Sequence, residues 1–390
     1  MKILLATIFD YPHTGGLSTH MTTLKSGLES QGHEVDIISF SEVPGWKRQF
    51  LVRGPGFFMN RFSAGKGLLY NSEKRSQLLM TLIRDAHEQK CYDMVNAQDV
   101  YATFASIQAG APVVTTVHGY MTYEAISRGT MKEGSRPARM LLEKEKLAYQ
   151  QTLQTITVDH RIKEYLKKHA GVDSVKIHNF IDVDQFKPAT DQRNNLRKKY
   201  GLNEKSFYLF VPRRLTKKNG VIYPVLAMPV ILRQVPDVHL VYAGTGEEEI
   251  HIRAKAKELG IGHRVHLIGA IPHEQMKDYY AMSDLTLIPS IHSDGVEEAT
   301  SISALEGMGA GIPVIASSVG GLKEIIDHEV NGLLVKEKDT GELAHAIVRL
   351  LQDADFGSRL ARKAREKIEQ HYSHLSAAKS YVDVYDSVRK

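Results

Sequence analysis

Two glutamates eight residues apart, Glu298 and Glu306, sit in the run EEATSISALEGMGAG (297–311), separated by mostly small and hydroxylated residues. On one continuous helix, positions i and i+8 lie about 80° apart and share a face poorly. The spacing fits better with Glu298 in a loop and Glu306 one or two turns into the helix that follows. Both then reach one site above the helix start.

A second cluster is cationic. PRRLTKKNG (212–220) places Arg213, Arg214, Lys217 and Lys218 between an apolar strand and a helix start near Asn219 and Gly220. Positive side chains beside a helix N-terminus suit a diphosphate. YAGTGEEE (242–249) is another strand-to-helix turn, in which Gly244 and Gly246 let backbone approach a ligand closely, although sharp turns use glycine anyway. HTGGLSTH (13–20) offers Gly15 and Gly16 before a helix, where a phosphate or sugar could come near the helix start. It lacks the spaced third glycine of a dinucleotide fingerprint, which disfavours a nicotinamide oxidoreductase. TTVHGY (115–120) ends a strand with His118, at the edge where ligands meet open α/β sheets. Asp182 and Asp184 form a DxD in a polar stretch rather than after a nucleotide-binding strand and read as a turn. No His/Cys group has zinc spacing, and no nucleophile elbow is visible. No metal ligand is therefore assigned.

These groups need strand ends to carry them. KILLATIF, EVDIISF, YDMVNA, PVVTTVH and QTITVD are strand-like runs separated by helix-period segments. In the first such segment Leu17, Met21, Leu24 and Leu28 form a helical stripe. The pattern restarts at SFYLFVPRRL (206–215) and continues through VHLVYAG, RVHLIG, LTLIPS and PVIASS. Near-continuous apolar strands alternating with helices predict parallel, doubly wound sheets. The polar run 182–194 reads as the linker between two α/β domains, and segments 339–353, 356–371 and 374–388 read as helices.

The totals agree. The 390 residues favour two domains, and 42% hydrophobic with 24% charged residues is ordinary for a globular chain. No apolar run has membrane-spanning length. The N-terminal run reads as a buried strand and not a signal peptide. The lone Cys91 fits a reducing compartment and reads as a small buried residue beside a strand. A net charge of +5 is mild, most of the excess lies in the first half, and nucleic acid is not expected as a partner.

Taken in order, the glycine-rich first loop, His118, Arg214 with Lys218, the E-x7-E pair and IPVIASSVGGLKEIIDHEVNGLLV (312–335) resemble family 4 of the retaining glycosyltransferases. YYAMSDLTLIPS and HNFIDVDQFKP match the same pattern, and the resemblance covers essentially the whole chain. It implies a GT-B fold: two Rossmann-like doubly wound domains facing a central cleft, with a C-terminal helix crossing back. The expected domains are an acceptor-binding unit over 1–187, a donor-binding unit over 188–372, and a helix over 373–390 packing toward the first. By position, Arg214 and Lys218 would grip the donor diphosphate, Glu306 the ribose hydroxyls and Glu298 the donor sugar. Ala299, Thr300, Ser301 and Ile302 would present N–H groups, and the backbone at Ala270 and Ile271 would lie against the base. Gly16 and Gly244 complete the donor set. His118, with Gly15 and Gly16 on the acceptor side, would sit near the anomeric centre. The chain departs from the family at Ala299, where a glycine is frequent, and at Asn219, where a lysine is common, which leaves Lys217 or Lys218 as the phosphate ligand. A histidine is frequent where Gln98 stands, and Gln98 is given no role.

The implied activity is a metal-independent, retaining hexosyl transfer without cofactor. The donor is a nucleoside-diphosphate sugar, UDP favoured and GDP second. The acceptor is a sugar, a lipid-linked molecule or a small molecule in cell-envelope polysaccharide, glycolipid or glycoside synthesis. The alternatives are an epimerase or phosphorylase on the same fold and a non-catalytic nucleotide-sugar-binding protein. The stretch Val43–Ser72 holds no acid but carries Lys47, Arg48, Arg53, Arg61 and Lys66 among Trp46, Phe50, Phe57, Phe58 and Phe62. This suggests a cytoplasmic protein peripheral at an anionic membrane face, against the alternatives of ordinary core or a basic loop for a phosphorylated soluble acceptor.

Overall fold

The computed structural model describes residues 1–13, 15–53, 55, 65–292 and 300–389. It holds two compact units, residues 1–178 with 374–390, and residues 179–373. Each is built on a six-stranded sheet whose described pairings are all parallel.

In the first unit the strands are β1 (Lys2–Thr7), β2 (Glu34–Ser39), β3 (Met94–Ala97), β4 (Val113–Val117), β5 (Gln154–Thr157) and β6 (Ser174–Lys176), in spatial order β2-β1-β3-β4-β5-β6. Strands β1, β3 and β4 are buried along nearly their whole length, as helices on both faces require. The helix Gly16–Ser30 turns Met21, Leu24 and Leu28 inward, the stripe expected from spacing. The chain reverses direction across the sheet between β1 and β3. Asp99 ties that switch point together: its carboxylate accepts from Thr7 Oγ1 (2.8 Å) and Ile8 N (2.9 Å) and caps the helix Val100–Gln108 through Ala102 N (2.8 Å). The helix His374–Val388 packs against Gly16–Ser30 and buries Tyr381 and Tyr385 completely.

In the second unit β7 (Phe207–Val211), β8 (Val238–Tyr242), β9 (Val265–Leu267), β10 (Leu285–Ile288), β11 (Val314–Ser317) and β12 (Leu333–Val335) lie in the order β12-β11-β10-β7-β8-β9. This is the doubly wound order whose switch point falls between β7 and β10. Helices Thr340–Gln352 and Ala354–His371 follow the last strand.

Two expectations need correction. The run 182–194 is not a free linker, and the boundary falls at 178/179 instead of 187/188. Ile181, Val183 and Phe186 are buried in the second unit, and Arg365 donates to the carbonyls of Val183 (3.0 Å), Phe186 (2.7 Å) and Gly309 (2.8 Å). Burying such side chains contributes about 1.5–3 kcal/mol each, set against ~1–2 kcal/mol of backbone ordering per residue. Within this segment Asp182 Oδ1 accepts from the N–H groups of Asp184 (2.9 Å) and Gln185 (3.0 Å), a polar turn. Cys91 is exposed, not buried: it ends the helix Lys66–Lys90 in a left-handed conformation, with φ 52°.

Candidate functional site

Chemistry-bearing residues gather at the carboxyl ends of the switch-point strands in each unit. In the second unit β7 runs into Pro212 and Arg213. The Arg213 guanidinium donates to Ser301 Oγ (3.0 Å), Ser290 Oγ (3.1 Å) and Asn219 Oδ1 (2.7 Å). It thus joins the ends of β7 and β10 to the start of the helix Ile302–Gly309. Ser301 is that helix's N-cap residue, but its side chain makes no cap hydrogen bond. Its hydroxyl is held by a cation instead, and a cation beside a helix N-terminus makes a positive corner suited to an anion.

Of the neighbouring arginines, Arg213 is half-buried and reaches this corner, whereas Arg214 is exposed. Lys217 is exposed and Lys218 half-buried, and the Lys218 carbonyl accepts from Ile291 N (2.9 Å). The buried Asn219 explains its place in the loop: it accepts from Arg213 and donates to the Arg214 carbonyl (2.7 Å). Gly244 and Gly246 serve the same loop. A Cβ on Gly244 would strike the Arg213 carbonyl, and one on Gly246 the Leu215 carbonyl. Their closest described backbone approach is therefore to the cationic loop, which they hold in register through Leu215 N to Thr245 O (2.9 Å).

Glu306 lies in the second turn of the helix Ile302–Gly309 and is buried. One carboxylate oxygen faces His273 Nε2 (2.8 Å), and the other accepts from Tyr280 O–H (2.8 Å). Burial alone would depress His273. The hydrogen bond and charge of Glu306 outweigh it, and the imidazole titrates above its ordinary value. Burial and the Glu306 charge push the Tyr280 phenol well up, so it stays a donor. Ile271, two residues before His273, is half-buried against this core. Thr300 and Ser301 are buried, and Asn179 donates to the Thr300 carbonyl (2.9 Å). Glu298 and Ala299 lie outside the described residues. Sequence reasoning missed His273 and Tyr280, which come from a different helix, His273–Met282.

In the first unit His118 follows β4, and its Nε2 lies 2.8 Å from Gln98 Oε1 at the end of β3. His20, from the helix Gly16–Ser30, packs edge-on against it with ring centroids 4.6 Å apart. Burial, aided by His20, holds His118 well below the usual imidazole range, so it is neutral. Gly15 precedes that helix as its N-cap and Gly16 opens it. The turn after His118 is fixed by Glu145, which accepts from Met121 N and Thr122 N (both 3.0 Å) and from the Thr122 hydroxyl. Burial raises the Glu145 carboxyl to about 7 against these hydrogen bonds. Gln98, His20 and Glu145 were not predicted. Gln98 carried two readable signals, its position one residue past a strand at the switch point and the histidine frequent there in the family the chain resembles.

Family models match both parts of the chain: "Glycosyltransferase Family 4" over residues 14–185 and "Glycosyl transferases group 1" over residues 192–367. An uncharacterized glycosyltransferase of Methanocaldococcus jannaschii is 30% identical, with 99% of this chain and 98% of that protein covered. Among solved structures, sucrose-phosphate synthase from Thermosynechococcus elongatus superposes with TM-score 0.75 at 20% identity, covering 99% of this chain and 98% of that one. Anabaena HepE in complex with UDP-glucose gives TM-score 0.71 at 18% identity, covering 99% and 100%.

Proposed function

The chain belongs to the family 4 glycosyltransferases of GT-B fold, and from that premise we propose that it is a retaining, metal-independent transferase using a nucleoside-diphosphate hexose. The observation that carries this reading is the Arg213 corner at the β7/β10 switch point, with Glu306 one turn further along the same helix. The diphosphate takes the corner, with Arg213 and Lys218 as its cations, and Glu306 takes the ribose hydroxyls beside Ile271. Arg213 replaces Arg214 in this assignment because its side chain reaches the helix start. UDP is the favoured nucleotide, in line with the UDP-glucose complex of Anabaena HepE, and GDP is the second candidate.

In the reaction the bond from the anomeric carbon to the diphosphate oxygen breaks, and the bond to the acceptor oxygen forms on the same face. The acceptor proton passes to the departing phosphate oxygen. Fixed cations and N–H dipoles stabilise the leaving charge, so neither a strong base nor a metal is required. The first unit takes the acceptor, with His118 as its reactive-side group. A thermal-shift and hydrolysis screen with UDP-, GDP- and ADP-sugars, repeated in excess EDTA, tests this. Stabilisation of about 2.7 kcal/mol is expected when the matching donor is at a hundredfold excess over its Kd. Activity lost in EDTA and restored by magnesium or manganese would refute metal independence.

A lipid-linked acceptor used at a cytoplasmic membrane face, in envelope polysaccharide or glycolipid synthesis, is favoured by one patch. Trp46 and Phe50 are 61% and 73% exposed, and the Lys47 ammonium lies 5.6 Å from the Trp46 ring. Aromatic and basic groups together suit an anionic headgroup layer. Arg53, Phe57, Phe58, Arg61 and Phe62 of the same stretch have no described side chains. Among the described residues no helix is long and apolar enough to cross a membrane. Co-sedimentation with phosphatidylglycerol vesicles that vanishes in the Lys47→Gln/Arg48→Gln variant is the expected result. No binding even at low salt would remove this reading.

A further inference from the structure

A buried polar thread runs from the C-terminal helix to His118. Tyr385 O–H lies 2.6 Å from Asn96 Nδ2, which donates to it. Asn96 Oδ1 accepts from Thr116 Oγ1 (2.8 Å) and from Gln98 Nε2 (2.9 Å). Gln98 Oε1 then faces His118 Nε2. Asn96, Thr116 and Tyr385 are fully buried and Gln98 nearly so. Water cannot readily substitute for a missing partner there, and an unmatched group would bear its full desolvation cost.

The thread has a direction. With the Gln98 amide nitrogen committed to Asn96, only its carbonyl oxygen can meet the imidazole. A carbonyl accepts, so Nε2 must carry the proton. A neutral imidazole has one N–H, which leaves Nδ1 as an acceptor. His20, the other ring packed on His118, is itself tied at 3.3 Å to Tyr381 O–H on the same C-terminal helix.

We infer that Tyr385, Asn96 and Gln98 are positioning residues that fix His118 as the Nε2–H imidazole and present Nδ1 as the acceptor for a substrate hydroxyl. The inference rests on the reading of His118 as a group of the reaction. The C-terminal helix thereby takes part in the chemistry, because its Tyr385 sets which imidazole nitrogen offers a lone pair to the substrate.

The test reads the tautomer directly. In nitrogen-15-labelled free enzyme, the His118 ring signals are identified by their loss in His118→Ala and followed by long-range proton–nitrogen correlation. Wild type is expected to show the Nε2–H form at neutral pH. Tyr385→Phe releases Asn96 to turn over, and Gln98 with it, so Nδ1–H signal should appear. Its kcat should fall by about tenfold, the loss of one oriented hydrogen bond to the substrate hydroxyl, with donor KM kept within about twofold. Gln98→Glu sets a carboxylate against Nε2–H and should raise the His118 pKa by about one unit or more. The wild-type tautomer keeps the test decisive if Tyr385→Phe folds poorly. Wild type in the Nδ1–H form, or a His118 pKa unmoved by Gln98→Glu, overturns the inference. Full turnover in His118→Ala would instead remove the reaction role of His118 and leave the tautomer result standing on its own.

Discussion

Replacing Glu306 with Gln isolates what its charge does for the nucleotide. The substitution keeps size and shape. The amide oxygen can still accept from His273 or Tyr280, and Tyr280 O–H also lies 3.1 Å from the Ser303 carbonyl, so its proton keeps a partner. The fold should therefore survive. What is lost is the charge in any bond to ribose. Hydrogen bonds to charged groups contribute about 1.5–3 kcal/mol and neutral ones about 0.5–1.5, a difference of roughly 1–1.5 kcal/mol per bond. One ribose bond thus weakens binding by about 5- to 13-fold, and two by about 30- to 150-fold. Calorimetry with the nucleoside diphosphate selected by the donor screen reads this directly. Its 2′,3′-dideoxy analogue is the control: wild type should bind it more weakly, and the substitution should change that affinity little. An equal loss for ribo and dideoxy forms would mean that Glu306 acts through folding or the phosphates, and the ribose assignment would fall.

Arg213→Ala should lower turnover by about 10²–10³, as loss of a preorganised charge-stabilising donor does, while Arg214→Ala should stay within a few-fold of wild type; the reverse order would restore Arg214 to the phosphates. His273 titrates above 6.5 in the folded chain because Glu306 outweighs burial, so its stabilising contribution is complete below the unfolded value and is lost as pH rises through the folded one. The Tm advantage of wild type over His273→Gln should shrink as pH rises past 6.5, and a pH-independent difference would refute the pairing. Glu145 has a slope of the same sign in a lower window: its folded value of about 7 exceeds the reference 4.5, so the native state holds the extra proton between the two. The Tm of wild type minus that of Glu145→Gln should fall between pH 4.5 and 7, and a flat difference would mean that Glu145 is ionised throughout.

The parts legible in the sequence were those written in local periodicity. Burial of β1, β3 and β4 followed from their apolar runs, and the inward face of Gly16–Ser30 from Met21, Leu24 and Leu28. Glu306 was legible because its offset from a loop-to-helix transition fixes its side. Its partners were not: Tyr280 and His273 lie 26 and 33 residues away, and only the packing of one helix on another brings them to the carboxylate. Arg213 and Arg214 share type, loop and neighbourhood, so spacing cannot say which one turns inward. The backbone decides, through Asn219 on one side and the Gly244–Gly246 turn pressed against the loop on the other. Cys91 misled because its neighbours look strand-like, whereas the left-handed turn that ends a 25-residue helix leaves it exposed.

A common physical pattern links the legible and illegible parts. His118 and Arg213 each stand just past a strand end, the edge where ligands meet open α/β sheets. Each is then held by something remote. His118 depends on Gln98 and, through Asn96, on Tyr385, while Arg213 depends on Ser290 and Ser301. Strand-end positions can be read from a local pattern, but the groups that fix orientation cannot, because a hydrogen bond across 77 or 289 residues leaves no trace in spacing. Orientation is also where catalysis is won, since a donor aimed before the substrate arrives need not reorganise when charge develops. On the proposed reading, substitutions at Tyr385, Asn96 or Tyr280 should therefore lower turnover although none of the three touches the substrate, and steady-state kinetics of the three variants checks this.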